Sequence, residues 1–102
     1  MKIKRNTLFI GLNDKDVKKQ VISKNRAKKI IMGIVGDCTI TDALGTYTHE
    51  DGTTVVEKSY KVEVLIFDEK QDNTLEYCQK IKKELNQESI ALVTDYVESV
   101  LV

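Results

Sequence analysis

The segment from Cys38 to Phe67, CTITDALGTYTHEDGTTVVEKSYKVEVLIF, constrains this chain most, because it reads as one long β-hairpin. Asp51-Gly52 lies at its centre, and Asp-Gly is a strong hairpin signal because glycine supplies the positive φ that a tight turn needs. Both flanks are dense in Thr, Val, Tyr and Ile and free of proline.

The parity of the hairpin is as informative as its turn. With Asp51 and Gly52 as the two loop residues, Glu50 faces Thr53, Tyr47 faces Val56 and Ile40 faces Glu63. On the second strand Val56, Tyr60, Val62, Val64 and Ile66 share one face, while Val55, Glu57, Ser59, Lys61 and Glu63 share the other. Cys38, Ile40 and Leu44 then have the wrong parity to join Tyr47 and the apolar face. A one-residue slip reverses every side chain, so a bulge is expected at Ala43-Leu44-Gly45.

Around the hairpin the remaining elements fall in order. Thr7 to Leu12 is an apolar run suited to a central strand, followed by a charged linker, NDKDVKKQVI, that reads as mobile. Ser23 is a good N-cap for a helix with Ala27, Ile30, Ile31 and Ile34 at amphipathic spacing, ended by Gly36. Asn73 and Glu76 predict a capping box for a second helix, whose apolar stripe is Leu75, Cys78, Ile81 and Leu85. Ile90 to Thr94 and Val97 to Val102 are both β-like. The last piece either continues the fourth strand or forms a separate edge strand.

The order β-α-β-β-α-β predicts an α+β fold, the ferredoxin-like βαββαβ plait, as a single domain over residues 1–102. Two helices cover one face of such a sheet, which leaves Leu65 and Phe67 on the other and predicts a homo-oligomer, dimer or trimer. Basic and acidic residues number 16 each, but residues 2 to 29 hold ten of the basic ones against Asp14 and Asp16. That asymmetry suits an anionic partner, or simply a solvated helix surface. Nucleic acid is disfavoured, because no aromatics interleave the basic run. Cys38 and Cys78 fit no zinc spacing and read as small, reduced core side chains. No apolar run reaches membrane-spanning length, so the expected setting is the cytoplasm.

One family resemblance rests on Cys38-Thr39-Ile40-Thr41-Asp42-Ala43-Leu44-Gly45-Thr46-Tyr47, Asp51-Gly52, Glu57-Lys58-Ser59 and Gln87-Glu88-Ser89-Ile90. These residues resemble a family of small uncharacterised bacterial proteins with the pattern G-x-T-x-x-D-A-x-G-x-W/Y, then E-x-S, then Q-E-S-V. The resemblance covers residues 37 to 93, and departs at Asp37, where the family has Gly, and at Tyr47, where Trp is usual. It implies the hairpin and the fold but, for a domain of unknown function, no activity. In topology alone the chain is also similar to the CutA-like and PII-like trimeric plaits, whose ligand clefts lie between subunits.

The candidate ligand-binding residues are Asp42, Tyr47, Glu57 and Ser59, which the strand reading and the resemblance bring to one hairpin. Gln87 either joins them or satisfies a helix-end carbonyl. His49, the single histidine, lies beside the turn and has no metal-ligand spacing, so no metal and no cofactor is expected. With no GxGxxG or P-loop and no paired catalytic spacing, the leading expectation is a non-enzymatic oligomeric binding or regulatory protein. Its ligand is a small anion such as a nucleotide, held near the hairpin. The alternatives are a small enzyme using Glu57 or His49 as acid or base, and a phage-type module binding a host protein or signalling nucleotide.

Overall fold

A computed structural model describes all residues from Met1 to Val102. Strands β1 (Lys2–Gly11), β2 (Thr39–Thr48), β3 (Thr54–Ile66) and β4 (Ala91–Glu98) form one sheet in the order β2-β3-β1-β4, every pair antiparallel. Helices α1 (Lys24–Val35) and α2 (Thr74–Glu84) pack together on one face. A short 3-10 turn, Glu69–Gln71, precedes α2. This is the α+β plait expected from the sequence.

The hairpin resolves its parity at the turn. Thr48 pairs with Thr54, and His49 donates its N–H to the Thr53 carbonyl, leaving a three-residue loop, Glu50-Asp51-Gly52, in place of two residues. Gly52 has φ +88°, the left-handed position that a three-residue hairpin loop requires. This single extra loop residue shifts the whole register. Ile40 now faces Val62, Asp42 faces Tyr60 and Tyr47 faces Val55. The pairing runs without interruption from Thr39 to Thr48, so the bulge expected at Ala43-Leu44-Gly45 is absent. Ile40 therefore reaches the core side, whereas Tyr47, Glu57 and Ser59 share the face without helices.

The core lies between sheet and helices. Leu8, Ile10, Tyr60, Val62, Val64 and Ile66 meet Ala27, Ile31 and Val35 of α1 and Cys78, Ile81 and Leu85 at α2. Cys78 is buried and Cys38 half-buried, both as free thiols whose pKa burial raises. Ser23 caps α1, its hydroxyl accepting from the Arg26 N–H at 3.1 Å, and Gly36 ends it at φ +77°.

At α2 the cap bond moves by one residue, and of the expected stripe Cys78, Ile81 and Leu85 are buried but Leu75 is not. Asn73 makes no side-chain cap hydrogen bond; Asp72 accepts from the Thr74 N–H at 3.0 Å instead. Thr74 takes the buried position, and Leu75 is 66% exposed. The cause is a polar network under the helix start. Asn6 donates to Asp72 and to the Thr74 hydroxyl, and its own carbonyl accepts from Thr94 at 2.7 Å. Asp95 and Tyr96, which resemble a break in the sequence, lie within β4, where Asp95 binds the Arg5 guanidinium at 2.7 Å. The chain beyond Glu98 adds no further strand. No helix is long and apolar enough to cross a membrane.

Candidate functional site

Where β1 leaves the sheet, its ladder with β3 ends in a side chain. Leu12 donates its N–H to the Lys58 carbonyl at 3.0 Å, but the next donor, the Asn13 N–H, is taken at 3.0 Å by Oε2 of Glu57. Glu57 is thus held at the end of a central strand by a backbone amide. Two glycines flank it. Gly45 stands directly across from Glu57 on β2, and a Cβ there would lie 3.2 Å from the Ser59 hydroxyl. On the other side the Glu57 carboxylate rests on Gly11, where any Cβ would overlap it.

Gly11→Ala is therefore expected to displace the carboxylate while leaving the fold intact, since the overlapped atoms end a flexible side chain. A misplacement on the ångström scale costs roughly 10²-fold in a catalytic group. The expected result is a near-native melting curve with any Glu57-dependent activity reduced by about that factor. Unaltered activity would show that the carboxylate tolerates the shift.

The linker after β1 is a braced loop, contrary to the mobile segment its charge suggests. Asp14 accepts from the Asp16 and Val17 N–H groups at 2.8 and 2.9 Å, and the Asn86 hydrogen bond, with these two, holds its carboxyl below the usual carboxylate range. Asn86 donates to both Asp14 and Asp16 at 2.9 Å. That asparagine has φ +48° and follows α2 as a C′ residue, with the Gln87 N–H returning to the Lys82 carbonyl and the Asn86 N–H to Lys83. The turn sends Gln87 back toward β1, where its Nε2 donates to the Asn13 carbonyl at 2.8 Å.

Loop, hairpin and helix end together enclose a cleft of about 560 Å³, in the range of small-molecule sites. Glu57 and Gln87 form part of its lining, with Tyr47 and His49 on the hairpin and Lys15 and Lys18 on the loop. The Tyr47 and His49 rings meet edge to face, with centroids 5.2 Å apart. No group of three His, Cys, Asp or Glu side chains is arranged to hold a metal ion.

Of the four residues singled out in the sequence, Tyr47 and Glu57 line this cleft. Ser59 lies buried on the same sheet face, its hydroxyl donating to the Glu57 carbonyl at 3.2 Å. Asp42 is on the opposite face, where it pairs with Lys24 at 2.8 Å; that hydrogen bond holds its carboxyl low. Sequence reading missed Asn13, Lys15 and Lys18. Their signal is only topological, since a charged loop becomes a wall when a distant asparagine and glutamine hold it.

No family model and no curated protein matches the chain. Among solved structures, a phage SAM lyase in complex with S-methyl-5'-thioadenosine is similar with a TM-score of 0.65 and 21% identity, over 91% of this chain and 80% of that one. A phage SAM lyase in the apo state gives a TM-score of 0.58 at 22% identity, over 91% and 79%. At this identity the likeness is one of fold. Both of these structures are of an enzyme, which goes against the expected non-enzymatic binding or regulatory protein. That expectation rested on the lack of catalytic spacing. The cleft is assembled from residues as far apart as Asn13, Glu57 and Gln87, so no spacing was there to find.

Proposed function

We propose that the protein is a small lyase acting on S-adenosylmethionine or a similar adenosyl sulfonium. The observation that carries this reading is Glu57, a carboxylate braced by the Asn13 N–H in a cleft that also presents Tyr47. A sulfonium is a permanent cation, and a carboxylate beside an aromatic ring is the environment that draws one from water. Lys15 and Lys18 offer partners to the substrate carboxylate, and the Tyr47–His49 pair offers a surface for the adenine ring. The shared fold with a lyase that was captured with S-methyl-5'-thioadenosine supports the substrate class.

The bond to be broken follows from that product. S-Methyl-5'-thioadenosine keeps both the methyl and the adenosyl group, so the sulfur must part from the amino-acid carbon and keep the electron pair. The carbon is then completed within the substrate, by attack of its own carboxylate or by loss of a neighbouring proton to a base. Glu57 is the counter-ion in either course and the proton acceptor in the second. Product analysis separates them, as a lactone or as an unsaturated amino acid.

Self-association belongs to this proposal, since Phe9, Leu65 and Val93 stand 45%, 49% and 51% exposed on the helix-free face. Cytoplasmic action does too, both cysteines being free thiols. The test is incubation of the purified protein with S-adenosylmethionine, chromatography for S-methyl-5'-thioadenosine, and sedimentation of the same sample. Accumulation of the thioether above the uncatalysed rate is the expected result. Absence of both turnover and binding of S-methyl-5'-thioadenosine would overturn the substrate assignment, and a monomer mass at working concentration would remove the self-association.

A further inference from the structure

We propose that Gln87 is the positioning residue of Glu57, acting through the backbone of Asn13; this rests on the reading of Glu57 as the working group of the cleft. Gln87 is 5% exposed, and its Nε2 donates to two carbonyls, Asn13 at 2.8 Å and Leu85 at 3.3 Å. Because both partners can only accept, the amide is locked with its nitrogen inward, and rotation about its last bond would set oxygen against oxygen. The Asn13 N–H in turn holds Oε2 of Glu57 at 3.0 Å. Residue 13 is thus fixed through its carbonyl and passes that constraint to the carboxylate through its amide.

The loop's backbone braces residue 13 as well, through its bridge to Gln20 and the Asp14 N–H donating to the Lys19 carbonyl at 2.8 Å, but no other side chain shares the Gln87 contact. Asn86 holds Asp14, Asp16 and the Lys15 N–H, all beyond Asn13. Gln87 alone among side chains bonds the Asn13 carbonyl, at the point where β1 has left the ladder. Without that anchor, only the backbone bridge to Gln20 steadies residue 13, and its amide, the one hydrogen bond that orients the Glu57 carboxylate, is less firmly placed.

Gln87→Met keeps the length of the side chain and removes both donors. Three readings follow, on the whole protein: the Asn13 amide in a proton–nitrogen NMR spectrum, steady-state turnover of S-adenosylmethionine, and the double variant with Glu57→Gln. The expected result is a changed Asn13 amide shift and faster exchange, with kcat lowered by roughly tenfold or more and KM changed less. The double variant should be no slower than Glu57→Gln alone, since residues acting as one unit are not additive. An unchanged Asn13 amide, or additive losses in the double variant, would overturn the proposal. Should the Met variant fail to fold, Gln87→Glu at a pH where it is ionised removes the same donors and is read in the same way. If the wild-type protein turns over no sulfonium, the substrate reading falls while the Asn13 amide still decides the positioning.

Discussion

Glu57→Gln is expected to lower turnover of an adenosyl sulfonium by roughly 10²–10⁴-fold, the usual weight of a positioned acid–base or counter-ion side chain. The substitution is nearly isosteric. Its amide oxygen still accepts from the Asn13 N–H, so the strand end and the loop keep their geometry. Stability should stay within about 0.5 kcal/mol of the wild type, as for changes that break no buried contact. What is lost is charge. A neutral amide neither attracts the sulfonium nor accepts a proton from its carbon chain. The loss should fall mainly on KM if the carboxylate only binds the cation in the ground state, and mainly on kcat if it takes a proton. Chromatography of S-methyl-5'-thioadenosine at several substrate concentrations separates the two. Undiminished kcat/KM in a folded Glu57→Gln protein would remove Glu57 from the chemistry.

The plait itself was legible because its signals are local. Ser23 and Gly36 bracket α1 as their chemistry dictates, and Ala27 and Ile31 face the core at helical spacing. The hairpin was legible in kind but not in register. Asp-Gly marks both two- and three-residue loops, and the difference of one residue decides which face each of ten side chains on β2 occupies. The apolar residues Cys38 and Ile40 carried the answer. Their parity demanded one extra residue, and a longer turn supplies it without interrupting the ladder. β1 extends to Lys2 because β4 pairs with it there, and β3 from Lys4 onward, so pairing and not apolarity sets its length.

The cleft was legible only in part, for a different reason. Tyr47 and Glu57 stand out in sequence because they share a hairpin, and the register places them on one face. Asp42 lies five residues from Tyr47, on the opposite face of an uninterrupted strand, so only the expected bulge could have brought it to them. In the observed pairing it faces Tyr60, beside Lys24, which lies 4.6 Å from the Tyr60 ring centroid. The Asn13 and Lys18 wall depends on hydrogen bonds to residues over 60 positions away, and no local pattern encodes such a contact. Gly11 and Gly45 were the available hint. They occupy strand positions where neither needs positive φ, so the space beside them serves a neighbour, the Glu57 carboxylate at Gly11 and the Ser59 hydroxyl at Gly45.

Asp72→Asn is expected to lower the free energy of unfolding by about 3 kcal/mol, more than any surface carboxylate, because three groups depend on its two oxygens. Lys4 lies 2.7 Å from Oδ2, the buried Thr74 hydroxyl donates to Oδ1 at 2.6 Å, and buried Asn6 donates to both oxygens. Asparagine presents an NH2 where an acceptor is needed, setting it against the Asn6 amide. Burial alone would raise the Asp72 carboxyl, but the hydrogen bonds from Lys4, Thr74 and Asn6 outweigh it and hold the group well below the usual carboxylate range. The sign of the pH effect follows. The unfolded chain protonates Asp72 near its ordinary value, about pH 4, while the folded chain resists. The stabilisation is complete above that value and is lost as pH falls toward the depressed native one. Wild-type stability should therefore drop as pH falls below about 4, and Asp72→Asn should flatten that part of the curve. Denaturant titrations from neutral to acid pH measure both effects. Asp72 precedes α2 and Gln87 follows it, so this network ties the helix to β1 and β4 at the end opposite the cleft. Asp72→Asn should accordingly lower stability while leaving kcat unchanged at a temperature where the variant is folded. A fall in kcat without a fall in stability would mean that the polar network, not the Gln87 turn, sets the geometry of Glu57.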